Sequence, residues 1–341
     1  MRFQYTSGYS LALTGKSHLQ VDKPCQDYAK YDHKNGIQVV ALADGAGSSD
    51  HSQIGSRISV DVVCDLLLSR YSDLHSLSTS EISNTVVTEV LAVLTCEAEK
   101  NGLELTDLAS TLLFAATDGN SLLYGHIGDG YIIRVVGNDS AEVLSYPVNG
   151  EFANQTYFVT SPGAINLFNI DIIPMHRESV IFLMSDGPSS VLFQRRPFAI
   201  SSVFLDMSKW ISNNKTDIAY AAILQNFEDS VTVRVDDDCS LALLYSSSIM
   251  YDEFSDNAIS KLDESLQQVS FSIPLDVILD FLNQCMLSKR DPLKIECTTG
   301  KVQGYRTKNI CQALTALGMF EDKDGNKIVF CKASALKRLF F

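Results

Sequence analysis

Three acidic positions in this chain stand where a strongly apolar run ends or begins. Asp44 follows the run at 39–43 and leads into Gly45-Ala46-Gly47. Asp186 follows 181–185 and leads into Gly187, and the triplet Asp236-Asp237-Asp238 stands just before the run at 240–245. A carboxylate at a strand end is held by a rigid sheet yet reaches solvent, and a following glycine lets a cation approach the main-chain carbonyl. Oxygen donors without accompanying His or Cys suit hard cations such as Mg²⁺ and Mn²⁺ better than zinc. One Asp-Gly pair is ordinarily a turn. Three acidic sites, each against an apolar strand, point to a shared cation site.

Composition bounds what can hold such a site. The 341 residues are 45% hydrophobic and 20% charged, an ordinary globular balance that suggests a large domain and a smaller one. Residues 1–249 hold 15 Lys+Arg against 29 Asp+Glu, which accounts for the whole net charge of −14; residues 250–341 hold 12 of each. An acidic main part argues against a nucleic-acid groove there and is compatible with cations. Within the tail, residues 288–341 carry 11 basic and 5 acidic residues. The eight cysteines form no CxxC pair, and no apolar run approaches the ~18 residues of a membrane span. These features predict a cytoplasmic protein with free thiols and no membrane partner.

The elements that must position the carboxylates are legible as short apolar runs at 39–43, 111–116, 122–127, 131–136, 180–184 and 241–245, read as strands of a buried sheet. Helical spacing marks 53–70, through Ile54, Ile58, Val62 and Leu66, and 81–100, through Ile82, Val86, Val90 and Leu94; a third helix is expected at 217–227. The turn Gly128-Asp129-Gly130 reads as a hairpin joining 122–127 to 131–136. This pattern predicts an α+β layered architecture. A linker is expected after Tyr245, dividing a main domain, 1–249, from an accessory domain, 250–341. The tail pattern is a helix at 273–287, a second at 308–317 and a hairpin on Asp324-Gly325, compatible with a small winged-helix-like module. Such a module could bind nucleic acid or protein, or merely pack on the main domain.

Six motifs in order are Gln26-Asp27, Ala43-Asp44-Gly45-Ala46-Gly47, Ser110-Thr111-Leu112, Gly125-His126-Ile127-Gly128-Asp129-Gly130, Ser185-Asp186-Gly187 and Asp237-Asp238-Cys239-Ser240. Over roughly 7–246 this order resembles the metal-dependent protein phosphatases of the type 2C (PPM) class. Ser17-His18 followed by Cys25-Gln26-Asp27 is closest to its bacterial branch. The resemblance implies a β-sandwich flanked by helices, hydrolysis of phosphoserine or phosphothreonine in proteins, and two Mg²⁺ or Mn²⁺ ions with room for a third. It implies that Asp44 bridges two ions with the Gly45 carbonyl on one of them, that Asp186 and Asp237 complete the other, that Asp27 acts through a water held by the cations, and that Asp129 joins Asp186 around a third. The partners implied are a phosphorylated protein and an opposing serine/threonine kinase.

The chain departs from the family at identifiable places. Gln26 stands where the family has Glu, Asp22 where it has a phosphate-gripping Arg, and Ala46 where a proton-donating His sometimes stands; Gly130-Tyr131 replaces a Ser-Arg pair. Lys16, His18 or Lys23 could supply the missing positive contact, with His18 preferred both for that and as a catalytic group beside Asp44 and Asp27. His126 reads as a core or supporting residue. The same departures motivate the alternative of a pseudophosphatase that binds phosphoprotein or metal without turnover.

Overall fold

The computed structural model describes residues 2–137, 140–147, 156–176, 178–195, 198–214 and 216–250, and in the tail 273–274, 277–278, 281, 294–296, 301–316, 320–323 and 327–330. The chain divides into two compact units, one of 6–211 with 216–246 and the other of 1–5, 212–215 and 247–341. Its first elements are β1 (Arg2–Leu13), α1 (Lys16–Gln20), β2 (Tyr28–Lys34), β3 (Ile37–Ala43), α2 (Ser52–His75) and α3 (Thr79–Asn101). There follow β4 (Leu112–Thr117), β5 (Ser121–Ile127), β6 (Tyr131–Val136), β7 (Ser140–Ser145), α4 (Ala164–Leu167) and β8 (Asn169–Pro174). The series continues with β9 (Glu178–Met184), α5 (Ser189–Leu192), β10 (Phe193–Arg195), β11 (Phe198–Ile200), α6 (Val203–Asn213), α7 (Thr216–Asn226) and β12 (Cys239–Met250).

Two five-stranded antiparallel sheets form a sandwich flanked by helices, in the orders β2-β3-β4-β5-β8 and β1-β12-β9-β6-β7. The apolar runs of the first sheet are unbroken because both of its faces are covered. Along β3, Val39, Ala41 and Ala43 pack with the helical residues Val60, Val63, Leu67, Val86 and Val90. The alternate residues Val40 and Leu42 pack with Ile132, Ile181, Leu183, Ala242 and Leu244 of the second sheet. Period-two alternation thus sends each strand's side chains into two separate cores. On the second sheet Phe182 meets Phe204 of α6 edge-on with centroids 5.2 Å apart, and Tyr131 stacks on Phe193 at 4.2 Å.

The two long helices have definite ends. A capping box joins Ser78 and Glu81 at the start of α3, and Gly102 closes it at φ 67°, a left-handed conformation that glycine adopts without cost. Gly55 lets α2 lie close to the 105–108 turn: a Cβ there would stand 2.0 Å from the Leu108 carbonyl oxygen.

Two sequence expectations are corrected here. Gly128-Asp129-Gly130 is not a hairpin turn, because β5 pairs with β4 and β8 while β6 pairs with β7 and β9. It is a corner that carries the chain from one sheet to the other. Gly128 sits at φ 125°, and a Cβ on it would lie 2.5 Å from the Thr111 side chain, so both conformation and space demand glycine. The linker expected after Tyr245 does not open there either, for β12 continues to Met250 with Ser246 and Ser247 buried.

In the tail, β13 (Lys294–Glu296), β17 (Lys327–Phe330) and β16 (Phe320–Lys323) form a three-stranded sheet in that order. β14 (Lys301–Val302) pairs with β15 (Tyr305–Arg306), which leads into α8 (Thr307–Ala316). The Asp324-Gly325 turn and most of the helix expected at 273–287 lie outside the described residues. No described helix is long and apolar enough to cross a membrane.

Candidate metal centre

The carboxylates converge because strand ends of both sheets meet at one rim. Asp44 follows the last residue of β3, and its backbone is locked to Thr111: its N–H donates to Thr111 Oγ1 at 2.8 Å, and its carbonyl accepts from Thr111 N–H at 2.8 Å. Asp186 follows β9 by two residues, and Asp129 occupies the corner between the sheets. Carboxylate oxygens of Asp44, Asp129 and Asp186 lie within 4.8 Å of one another. Thr156 Oγ1 donates to Asp129 Oδ2 at 2.6 Å and fixes that side chain. Gly45 forms an isolated bridge with Ser110, but the ladder bonds run from the Asp44 carbonyl and the Ala46 N–H, so the Gly45 carbonyl lies outside them.

Asp27 is buried beside this group, its Oδ2 accepting from Ser240 Oγ at 2.6 Å. Asp237 is exposed, accepts at Oδ1 from the Asp238 N–H at 2.8 Å, and is close enough for its charge to act on Asp44 and Asp186. The structure therefore brings Asp27, Asp44, Asp129, Asp186 and Asp237 into one electrostatic neighbourhood.

Asp238 anchors the rim. It is 3% exposed; its Oδ1 accepts from the Gly15 N–H at 2.7 Å and its Oδ2 from the Gln26 N–H at 2.6 Å. His18 Nδ1 lies 3.0 Å from Asp238 Oδ2, so the structure brings His18 to Asp238 and Asp237. Asp238 therefore ties together the start of α1, the loop that leads into β2 and the loop before β12. Nothing in three consecutive aspartates reveals which one turns inward. Thr156, Ser240 and Thr111 were likewise missed as supports, although the last two lie inside motifs that the sequence singles out.

Gln26 is 1% exposed and its Nε2 donates to the Ser49 carbonyl at 2.8 Å and to Ser52 Oγ. A carboxylate could not donate to that carbonyl, which gives a physical reason for an amide here. His126 is fully buried, bonded through Nδ1 to Ser145 Oγ at 2.8 Å, and burial pushes its pKa down to about 3. It is a neutral core histidine spanning the two sheets. Of the two candidate lysines, Lys16 Nζ is spent on the Val233 carbonyl, while Lys23 Nζ donates at 3.1 Å to the carbonyl of Gly47, three residues from Asp44.

The charges acting most strongly on Asp44 are Asp27, Asp186, Asp129 and Asp237, all carboxylates; after burial, they hold its pKa well above the usual range. Burial pushes Asp27 up to about 7, opposed by the Ser240 bond, and pushes Asp186 up to about 6 with repulsion from Asp129 and Asp237. These groups titrate as a set. Raised carboxyl pKa values mean that the folded, metal-free chain holds protons that the unfolded chain releases above about pH 4. Their favourable contribution is complete below that pH and is lost as pH rises toward about 7. The EDTA-treated protein should therefore lose about 5–10 °C in Tm, relative to the Mn²⁺-loaded protein, between pH 5 and pH 7.5. His126 acts alike in both states and cancels in the difference. A gap between the two melting curves that does not widen with pH would contradict this account.

A family model described as protein phosphatase 2C matches residues 14–226. Serine/threonine-protein phosphatase 3 of Escherichia coli (strain K12) is 28% identical over 160 residues, 46% of this chain and 63% of that protein. The chain thus spans less than two thirds of that relative's length. A serine/threonine phosphatase of S. agalactiae superposes with a TM-score of 0.50 at 17% identity, covering 71% of this chain and 99% of the other. PppA of Pseudomonas aeruginosa, described as a regulatory component of T6SS, gives 0.50 at 17% identity over 72% and 100%. At such identities the two structures speak to the fold.

Proposed function

Because the chain belongs to the protein phosphatase 2C family, we propose that it hydrolyses phosphoserine and phosphothreonine in proteins with divalent cations held by its rim of aspartates. The carrying observation is the convergence of Asp44, Asp129 and Asp186 within 4.8 Å, with only carboxylates among the charges acting most strongly on Asp44. The donors fit Mg²⁺ or Mn²⁺: they are all oxygens, held by strand ends, and Asp27 keeps a buried Oδ1 without a hydrogen-bond partner. Asp44 would be shared by two ions, with the Gly45 carbonyl on one and Asp186 and Asp237 on the other; Asp129 with Asp186 offers a third place. When bound, such cations lower the pKa of water and offset charge on a phosphoryl group.

The chain's own residues do the rest. Asp27, fixed by Ser240, orients the attacking water by hydrogen bonding. The P–O bond to the serine or threonine oxygen breaks, and that oxygen takes its proton from water, since Ala46 offers no acid. Lys23, held on the loop that follows Asp44, is the positive contact for the incoming phosphate. A kinase that modifies the same residues is the natural counterpart of this activity.

Phosphate release from a phosphothreonine peptide, with Mn²⁺, Mg²⁺ or EDTA, tests the reading. Release should need the metal, and Lys23→Ala should raise KM about tenfold with kcat nearly unchanged. Equal release in EDTA would sink the proposal. Peptide binding by calorimetry with no release in any metal would instead favour a phosphoprotein-binding role without turnover.

A further inference from the structure

The segment 15–23 is fastened along its length. Gly15 N–H reaches Asp238, Ser17 donates to the Asp236 carbonyl through both N–H (3.0 Å) and Oγ (2.7 Å), and Lys16 Nζ takes the Val233 carbonyl. His18 faces Asp238, its carbonyl accepts from the Lys23 N–H at 2.9 Å, and Lys23 Nζ holds Gly47. Gly15, Lys16, Ser17, His18 and Lys23 are thus tied down around the aspartates. Its apolar residues are not. Leu19 is 66% exposed and Val21 71%, and α1 has no buried residue; Val233, whose carbonyl receives Lys16, is 50% exposed.

Isolated exposed aliphatics are common on protein surfaces. Here they sit on a pinned segment directly beside the candidate metal centre, where they add nothing to the core. A five-residue helix is about 7.5 Å long, and an extended peptide advances about 3.3 Å per residue. His18 lies within 4.8 Å of an Asp237 carboxylate oxygen, so Leu19 and Val21, one and three residues further on, stand near the side chains that flank a phosphorylated residue seated at the aspartates. The charges around them are of both signs: Asp22, Asp236 and Asp237 are exposed, and so are Lys16 and Arg234.

We propose that Leu19, Val21 and Val233 form the part of the rim that reads the substrate sequence, taking an aliphatic side chain close to the phosphorylated serine or threonine. This specificity rests on the phosphatase reading above. Its test compares phosphothreonine peptides carrying Leu or Ser at positions −3 to +3, with p-nitrophenyl phosphate as a substrate that has no flanking residues. The wild type should favour the best leucine peptide over its serine counterpart about tenfold in kcat/KM. Leu19→Ser/Val21→Ser should remove that preference and leave p-nitrophenyl phosphate turnover unchanged. Wild-type rates equal for leucine and serine peptides, or a preference that survives both this variant and Val233→Ser, would overturn the proposal. If the wild type turns over no substrate at all, the phosphatase reading fails separately. Calorimetric affinity for the same peptides then decides the rim: a leucine preference lost in the double variant supports it, and equal affinities overturn it.

Discussion

Asp44→Asn should reduce metal-dependent phosphate release by about 10³-fold while making the metal-free protein more stable. The loss follows if Asp44 is the carboxylate shared by the cations, since an amide carries no charge to hold them. The gain follows from the apo structure: Asp44 is repelled by Asp27, Asp186, Asp129 and Asp237, and a neutral side chain of the same shape relieves that repulsion. The bonds to Thr111 use its backbone, so they survive the change. Three readouts should move together: rate down, Tm in EDTA up by a few degrees, and the Mn²⁺-induced rise in Tm gone. A variant that keeps its rate, or that melts lower in EDTA, would remove Asp44 from this role.

The second large effect is on stability. Asp238→Ala should cost about 3–5 kcal/mol, because it strips the Gly15 and Gln26 N–H groups of their acceptor in a buried place and takes the partner from His18. Asp238→Asn keeps one acceptor oxygen and should lose clearly less. Urea unfolding of the three proteins in EDTA reads this directly. A loss under about 1 kcal/mol for the alanine variant would show that the rim is held by other contacts. The Ser17 bonds to Asp236 would then be the place to look.

The elements best read from sequence are those buried on both sides. β3, β4, β5 and β9 announce themselves as unbroken apolar runs because one face meets helices or aromatics and the other meets the opposite sheet. β2 gives no such signal: it is an edge strand with no fully buried residue, half-buried over its first five residues and exposed at His33 and Lys34, and its sequence Tyr-Ala-Lys-Tyr-Asp-His-Lys has no apolar face. β7 is hidden for the same reason, with one buried residue in six. The corner at Gly128-Asp129-Gly130 carries the residue types of a hairpin, and only the identity of the pairing strands separates the two. Among site residues, the aspartates at strand ends stood out because a charge interrupts an apolar run. The supports did not, because a threonine at 156 or an inward aspartate at 238 looks like any surface residue until the chain is folded.

The corner at Gly128 has a mechanical consequence. Asp44 hangs from one sheet and Asp186 from the other, with Asp129 on the span between them. The layers are otherwise joined across their interface largely by apolar contact, which resists separation but allows small slips. Cations gripping Asp44 and Asp186 together would act as a rivet through both plates, and the rivet sits at the working edge. Loading the site then stiffens the joint between the sheets, and any shear between them changes the grip on the ions.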